Sequence, residues 1–294
     1  MKIKKFAAID IGTNAIRVLI SNIIETKEGI HFQKNSLVRA PIRLGEDSFT
    51  LGEISKKSLK RLINAMKAFK LLMKVHGVSH YKTYATSALR EANNSRDVVE
   101  QVKKKSGIKI EIIDGRKEAE IISNSMISEF LNTQKTLLFV DVGGGSTEFT
   151  FINEGKHVCS KSFKIGTVRL INNLVNDRVW EAIRDWIIKN AKRYRKITLM
   201  GSGGNINKLF KLSNIKEGKP LSVIKLNQIF LQLESLSYEE RILKFELNPD
   251  RADVIIPAAK IFLKALEWSG GQKIYVPKFG LSDGMIKYMY KNHR

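Results

Sequence analysis

Asp141 and Glu148 flank the run Val142-Gly143-Gly144-Gly145-Ser146-Thr147, and their spacing invites a test by strand register. If residues 143–146 form a four-residue turn between two strands, Val142 faces Thr147 and Asp141 faces Glu148, with Cβ atoms about 5 Å apart. Two carboxylates that close are unfavourable unless one is protonated or a cation lies between them. Mg²⁺ suits the arrangement, because it takes oxygen ligands and is held by one or two carboxylates together with substrate phosphates. The competing reading is a solvated hairpin mouth. Asp10, Gly12, Thr13 and Asn14 repeat the pattern, but a turn at 12–15 sets Asp10 opposite Arg17, where it can be ion-paired instead. Small residues in both turns let consecutive backbone N–H groups point into one concavity that suits phosphate, and Thr13, Asn14, Ser146 and Thr147 add side-chain donors.

Other candidates carry strong competing explanations. Glu118 falls in the first turn of a helix after Gly115, where the helix dipole alone favours an acid; Glu111, Glu120 and Glu129 are nearby alternatives. Arg90 follows Thr86-Ser87 and reads either as a guanidinium fork on phosphate or as a surface arginine. The run Gly201-Ser202-Gly203-Gly204 is a further phosphate or nucleotide contact, or a plain turn. No Gly-x-Ser-x-Gly elbow occurs, Cys159 has no arrangement with a histidine, and His31, His76, His80, His157 and His293 lack metal-ligand spacing. Gly77 separates His76 from His80 and marks a helix end.

The elements that must position these residues follow from periodicity. Phe6–Asp10 and Ile16–Ile20 bracket the first glycine turn, and Leu137–Asp141 and Thr147–Ile152 bracket the second, so the chain contains an internal repeat. A strand follows each turn. Dinucleotide-binding and Walker loops require a helix there and are excluded. Apolar spacing predicts helices over Ser58–His76, Lys117–Leu131, Trp180–Tyr194, Val254–Trp268 and Met285–Asn292, and strands over Val78–Thr83, Ile108–Ile113 and Ile197–Met200. This alternation predicts an α/β architecture. Lys211–Lys225 is polar and receives no assignment.

Composition narrows the partners. The 294 residues are 43% hydrophobic and 27% charged, which suits a soluble chain long enough for two cores. Lone Cys159 and the absence of a leader-like N-terminus lead us to expect the cytoplasm. No apolar run approaches the roughly 20 residues of a membrane helix, so no membrane association is expected. The net charge of +22 favours a polyanionic partner, although a solvated Lys-rich surface gives the same number. No zinc-finger, leucine-zipper or RNA-recognition signature is present, and nucleic acid is not expected.

Five segments, in order, resemble the exopolyphosphatase and guanosine pentaphosphate phosphohydrolase family: Ile9–Asn14, Ala85–Ala92, Gly115–Ala119, Val140–Glu148 and Gly166–Leu170. The resemblance implies the sugar kinase, Hsp70 and actin superfamily: two actin-like (ribonuclease H-like) domains with an interdomain cleft. We expect them at 1–125, with 285–294 packing back, and at 126–284. It further implies Mg²⁺-dependent hydrolysis of a terminal phosphoanhydride, on inorganic polyphosphate or guanosine pentaphosphate, by a homodimer of the short two-domain type. Glu118 then corresponds to the carboxylate that orients or deprotonates water, Glu148 to a second essential acid, and Asp141 with Glu148 to the metal-side carboxylates. Asp10, Gly12, Thr13, Asn14, Arg90, Gly143, Gly144, Gly145, Ser146, Thr147, Gly201 and Gly203 become phosphate contacts. Two positions depart from the family pattern: Glu120 stands where Arg is common, and Leu281-Ser282-Asp283-Gly284 where Leu-Arg-Glu-Gly is common. Both departures remove a cation.

Overall fold

The structure, a computed structural model, describes residues 1–130, 136–277 and 279–292. The chain divides into two compact units, Met1–Ser125 with Leu281–Arg294, and Met126–Gly280. Leu131 and His293 lie outside the described residues.

The first unit opens with β1 (Lys2–Ile11), β2 (Ile16–Glu25) and β3 (Ile30–Ala40), followed by α1 (Leu44–Thr50), α2 (Lys56–Val75), β4 (His80–Ala85), α3 (Ser87–Glu91), α4 (Ser95–Ser106), β5 (Glu111–Ile112) and α5 (Gly115–Phe130). Its sheet runs β3-β2-β1-β4-β5. The first three strands form an antiparallel meander, and β4 and β5 continue in parallel with β1. Ser55 caps α2 by accepting from the Ser58 amide, and the helix buries Leu59, Leu62, Ile63, Met66 and Phe69 against Ile9, Ile11 and Val18. It stops at His76, where Gly77 takes φ 67°, which is the helix end expected between the two histidines. β5 is shorter than the alternating segment 108–113 because only Glu111 and Ile112 find partners, Tyr84 and Ala85, on β4.

The second unit contains β6 (Thr136–Val142), β7 (Thr147–Asn153), β8 (Lys156–Phe163), α6 (Thr167–Ile171), α7 (Asp177–Ala191), β9 (Ile197–Ser202), α8 (Gly204–Leu212), β10 (Leu221–Ser222), α9 (Val223–Glu234), α10 (Tyr238–Phe245), α11 (Pro249–Ala252), α12 (Ile255–Ser269) and β11 (Lys273–Tyr275). The sheet order is β10-β11-β9-β6-β7-β8. Apart from edge strand β10 this repeats the first sheet: an antiparallel meander, then two strands parallel to the first. Val140, Phe149, Phe151, Leu199, Phe262 and Leu266 form its core. The unassigned stretch 211–225 holds the end of α8, β10 and the start of α9.

The last helix, α13 (Leu281–Asn292), belongs to the first unit and packs on β1, β2 and β4. A Cβ at Gly284 would fall 2.7 Å from the Ile121 carbonyl oxygen, so glycine permits this approach to α5. No helix among the described residues is long and apolar enough to cross a membrane.

Candidate active site

Both glycine turns adopt the anticipated register. Asp141 pairs with Glu148 and Val142 with Thr147 across β6 and β7, while Asp10 pairs with Arg17 and Ile11 with Ile16 across β1 and β2. Each turn is closed by one backbone bond, Gly12 N–H to Ala15 O at 3.2 Å and Gly143 N–H to Ser146 O at 3.0 Å.

The carbonyls of each turn are drawn to one side by the start of a following helix. Arg43 and Gly45 donate to the Asn14 and Thr13 carbonyls, and Thr167 and Val168 donate to those of Gly143 and Gly144. Arg169 adds a bond from Nε to the Gly145 carbonyl at 2.7 Å. Close approach needs glycine in both places. A Cβ at Gly45 would strike the Thr13 methyl, and one at Gly166 would strike the Gly144 backbone. With the carbonyls engaged, the amides of Gly144, Gly145 and Ser146 donate to no backbone carbonyl among the described residues. Unclaimed amides in a glycine-rich turn suit a phosphate oxygen.

Side chains separate the two turns. Asp10 lies 3.3 Å from Arg17 Nε, and burial raises its pKa from the usual carboxylate value despite that guanidinium. Thr13 and Ser87 share one hydroxyl–hydroxyl bond of 2.8 Å. Two hydroxyls own two protons, so one O–H of this buried pair remains to donate elsewhere. In the second unit, Glu148 is only 2% exposed. Its Oε1 accepts from Ser146 Oγ at 2.7 Å and from Ser162 Oγ at 2.8 Å. Asp141 and Glu148 each present an oxygen within 4.8 Å of the other. A pair of hard oxygen donors, one oriented by two hydroxyls, fits a hard divalent cation such as Mg²⁺.

The remaining candidates take different places. Glu118 lies in the first turn of α5 and is 9% exposed; Asp114 starts that helix by accepting from the Lys117 amide at 2.7 Å. Glu120 forms a local ion pair with Lys117 at 3.3 Å, and Asp283, beside the serine at the other departure, pairs with Lys34 at 2.8 Å. Arg90 spends one donor on the Ile113 carbonyl at 2.8 Å, which ties α3 to the strand end. Thr147 donates its hydroxyl to the Ile165 carbonyl at 2.7 Å and is fully buried, so its side chain braces the turn rather than offering a donor to phosphate. Ser146 likewise spends its hydroxyl proton on Glu148 and retains only its amide for an anion. Gly201 is a packing position inside β9, where a Cβ would meet Ile274, Ile206 and Phe262. Gly203 has φ 105° and stands against Asp141, with its would-be Cβ 3.4 Å from Oδ1.

Ser162, Ser87, Gly45 and the Gly166 contact are the positions that motif reading did not place among the site residues. Gly166-Thr167 carried a signal, as a glycine beginning one of the five segments; Ser162 carried none.

Comparison with known proteins gives the chain's family and fold. The model of the Ppx/GppA phosphatase family matches residues 23–293. The chain is 29% identical to the bifunctional 3-dehydroquinate synthase/phosphatase of Fusobacterium nucleatum over 293 residues, which covers 92% of this chain and 44% of that protein. It therefore spans less than half the length of that relative. It is 25% identical to exopolyphosphatase 2 of Mycobacterium tuberculosis, covering 97% of this chain and 98% of that one. Among solved structures it resembles the Aquifex aeolicus Ppx/GppA family member, with TM-score 0.78, 26% identity and full coverage of both chains.

Proposed function

Since the chain belongs to the Ppx/GppA phosphatase family, we propose that it is a Mg²⁺-dependent exopolyphosphatase, releasing the terminal phosphate of inorganic polyphosphate by attack of water. The observation that carries this reading is the Asp141–Glu148 carboxylate pair beside a glycine turn with unclaimed amides. The similarity to a mycobacterial exopolyphosphatase over nearly both lengths supports polyphosphate as the substrate.

In this reading the amides of Gly144, Gly145 and Ser146 hold phosphoryl oxygens, with the spare hydroxyl proton of Thr13–Ser87 and the remaining donors of Arg90 as further contacts. Asp141 and Glu148 would hold Mg²⁺, which when bound would neutralise phosphate charge and polarise the phosphoryl group. Ser146 and Ser162 fix the Glu148 carboxylate for that task. Glu118 accepts a proton from water as the new O–P bond forms; the anhydride P–O bond breaks and the shortened chain leaves as an oxyanion. Positioning and charge neutralisation supply most of the rate. We further propose a homodimer working in the cytoplasm, the former open to test by sedimentation.

Phosphate release with Mg²⁺ from long-chain polyphosphate, short-chain polyphosphate and guanosine pentaphosphate, at matched terminal-phosphate concentration, tests the proposal with the Glu118→Gln protein as control. Faster release from polyphosphate is expected, with a fall of about 10²–10⁴-fold in the variant. Faster release from the guanosine compound assigns the alarmone phosphohydrolase activity instead. Release no greater than in the control overturns hydrolysis, and ATP formation from polyphosphate and ADP would then mark a phosphotransferase.

A further inference from the structure

At the end of the second sheet away from the glycine turn, a cavity of about 480 Å³ opens where β6, β9 and β11 begin. Arg193, Arg195 and Lys196 from the link between α7 and β9, and Lys273 from the start of β11, line it together with Tyr194 and Tyr275. Glu154 is the one carboxylate in the lining. Thr136 in the lining is six residues along β6 from Val142, so at about 3.3 Å per residue the cavity lies roughly 20 Å from the turn.

Four cations brought into one concavity from two chain segments repel one another, and among the described residues none of the four forms an ion pair. A solvated basic surface spreads its charges apart; this one gathers them around a volume within the ordinary range of small-ligand sites. The concavity is too small for a nucleic acid duplex, while a short anion or the end of a chain can enter. Guanidinium forks favour phosphoryl oxygens, and the tyrosine hydroxyls and rings add donors and flat apolar faces.

We propose that this cavity is a second anion site, which binds a chain of phosphoryl groups separately from the site at Asp141 and Glu148. The chain can come from inorganic polyphosphate or from a nucleoside polyphosphate. The site does not depend on the proposed hydrolysis and is tested without it.

The test is equilibrium titration of the full chain carrying Glu118→Gln with tripolyphosphate and, separately, with ATP. A second background adds Arg195→Ala, Lys196→Ala and Lys273→Ala. A third adds Lys103→Ala, Lys104→Ala and Lys105→Ala on α4, which removes the same charge elsewhere. We expect one binding event to weaken at least tenfold in the cavity variant and to persist in the α4 variant. Phosphate release from tripolyphosphate by the cavity variant with Glu118 intact should stay within twofold of the parent. Binding of tripolyphosphate as tight as that of ATP identifies the phosphate chain alone as the ligand; preference for ATP identifies a nucleoside polyphosphate seated on the tyrosines. Equal titrations of the parent and cavity variant, or equal weakening in the two triple variants, would overturn the proposal. A cavity variant with Arg195→Lys and Lys196→Arg, which keeps the charge, should retain binding, while the near-parental phosphate release of the alanine variant excludes a folding defect as the cause of its weakening.

Discussion

Across the sheet of the first unit, Tyr84, Asp10, Arg17 and Arg39 stand in one row; the equivalent row of the second unit reads Ser202, Asp141, Glu148 and Ser162. The backbones correspond, with a hairpin, a third antiparallel strand and the N-terminus of a helix grasping the turn carbonyls in each. The side chains differ in sign. In the first row two guanidiniums outweigh one carboxylate, and burial pushes the Tyr84 phenol up to about 12, so it adds no anion. In the second row two carboxylates face each other with hydroxyls on both sides. One scaffold thus serves two purposes. A row that carries its own cations has no need of a metal, whereas a row of paired carboxylates and hydroxyls offers the oxygen donors that a hard divalent cation takes.

Exchanging one residue tests that contrast most severely. Glu148→Arg recreates the pairing of the first row in the second, and phosphate release should fall by about 10²–10⁴-fold without recovery at high Mg²⁺. Retained phosphate release with an unchanged Mg²⁺ titration would show that Glu148 is not a metal-side residue. Removing one of the hydroxyls on Glu148 is milder. Ser162→Ala should lower activity or metal affinity by about 10–100-fold, as for other groups that orient a ligand carboxylate, while Ser36→Ala on β3 of the first unit should leave both unchanged.

The helix clasps give a smaller effect, read as stability. Gly166→Ala drives a methyl into the Gly144 backbone, whereas Gly45→Ala meets the Thr13 and Phe49 side chains, which can move. Thermal or urea unfolding should show a loss of about 1–3 kcal/mol for Gly166→Ala and a lesser one for Gly45→Ala. The smallest effect belongs to Asp10. Its pKa is raised in the folded protein, so the native state binds the proton more tightly and its contribution to stability declines as pH rises from the ordinary value of 3.8 through the raised one. Asp10→Asn should remove that component from the pH dependence of urea unfolding. A profile parallel to that of the parent would refute the assignment.

Much of the arrangement was legible in the sequence for reasons that are local. A four-residue turn fixes which residues of a hairpin face each other, so the Asp141–Glu148 and Asp10–Arg17 pairs followed from counting. The strand after each glycine turn, Glu118 in a first helical turn and the helix end at Gly77 followed from apolar period and breakers. Glycine roles were less legible, because Gly201 and Gly203 look alike in the sequence. One of them meets the core and the other Asp141, and only packing separates them.

Ser162 marks the boundary most clearly. The β7–β8 pairing starts at Asn153 with Lys156 and Ile152 with His157, and continued counting would set Glu148 against Lys161. A bulge between Phe151 and Ile152 shifts the register by one residue, so Ser162 takes that place and Lys161 pairs with Phe149. By itself the sequence determined the paired carboxylates, because turn length and alternation are short-range constraints. Whether a lysine or a serine completes their row was decided by tertiary structure, since a one-residue slip exchanges the faces of a strand and only the packing of the whole sheet selects between the two registers.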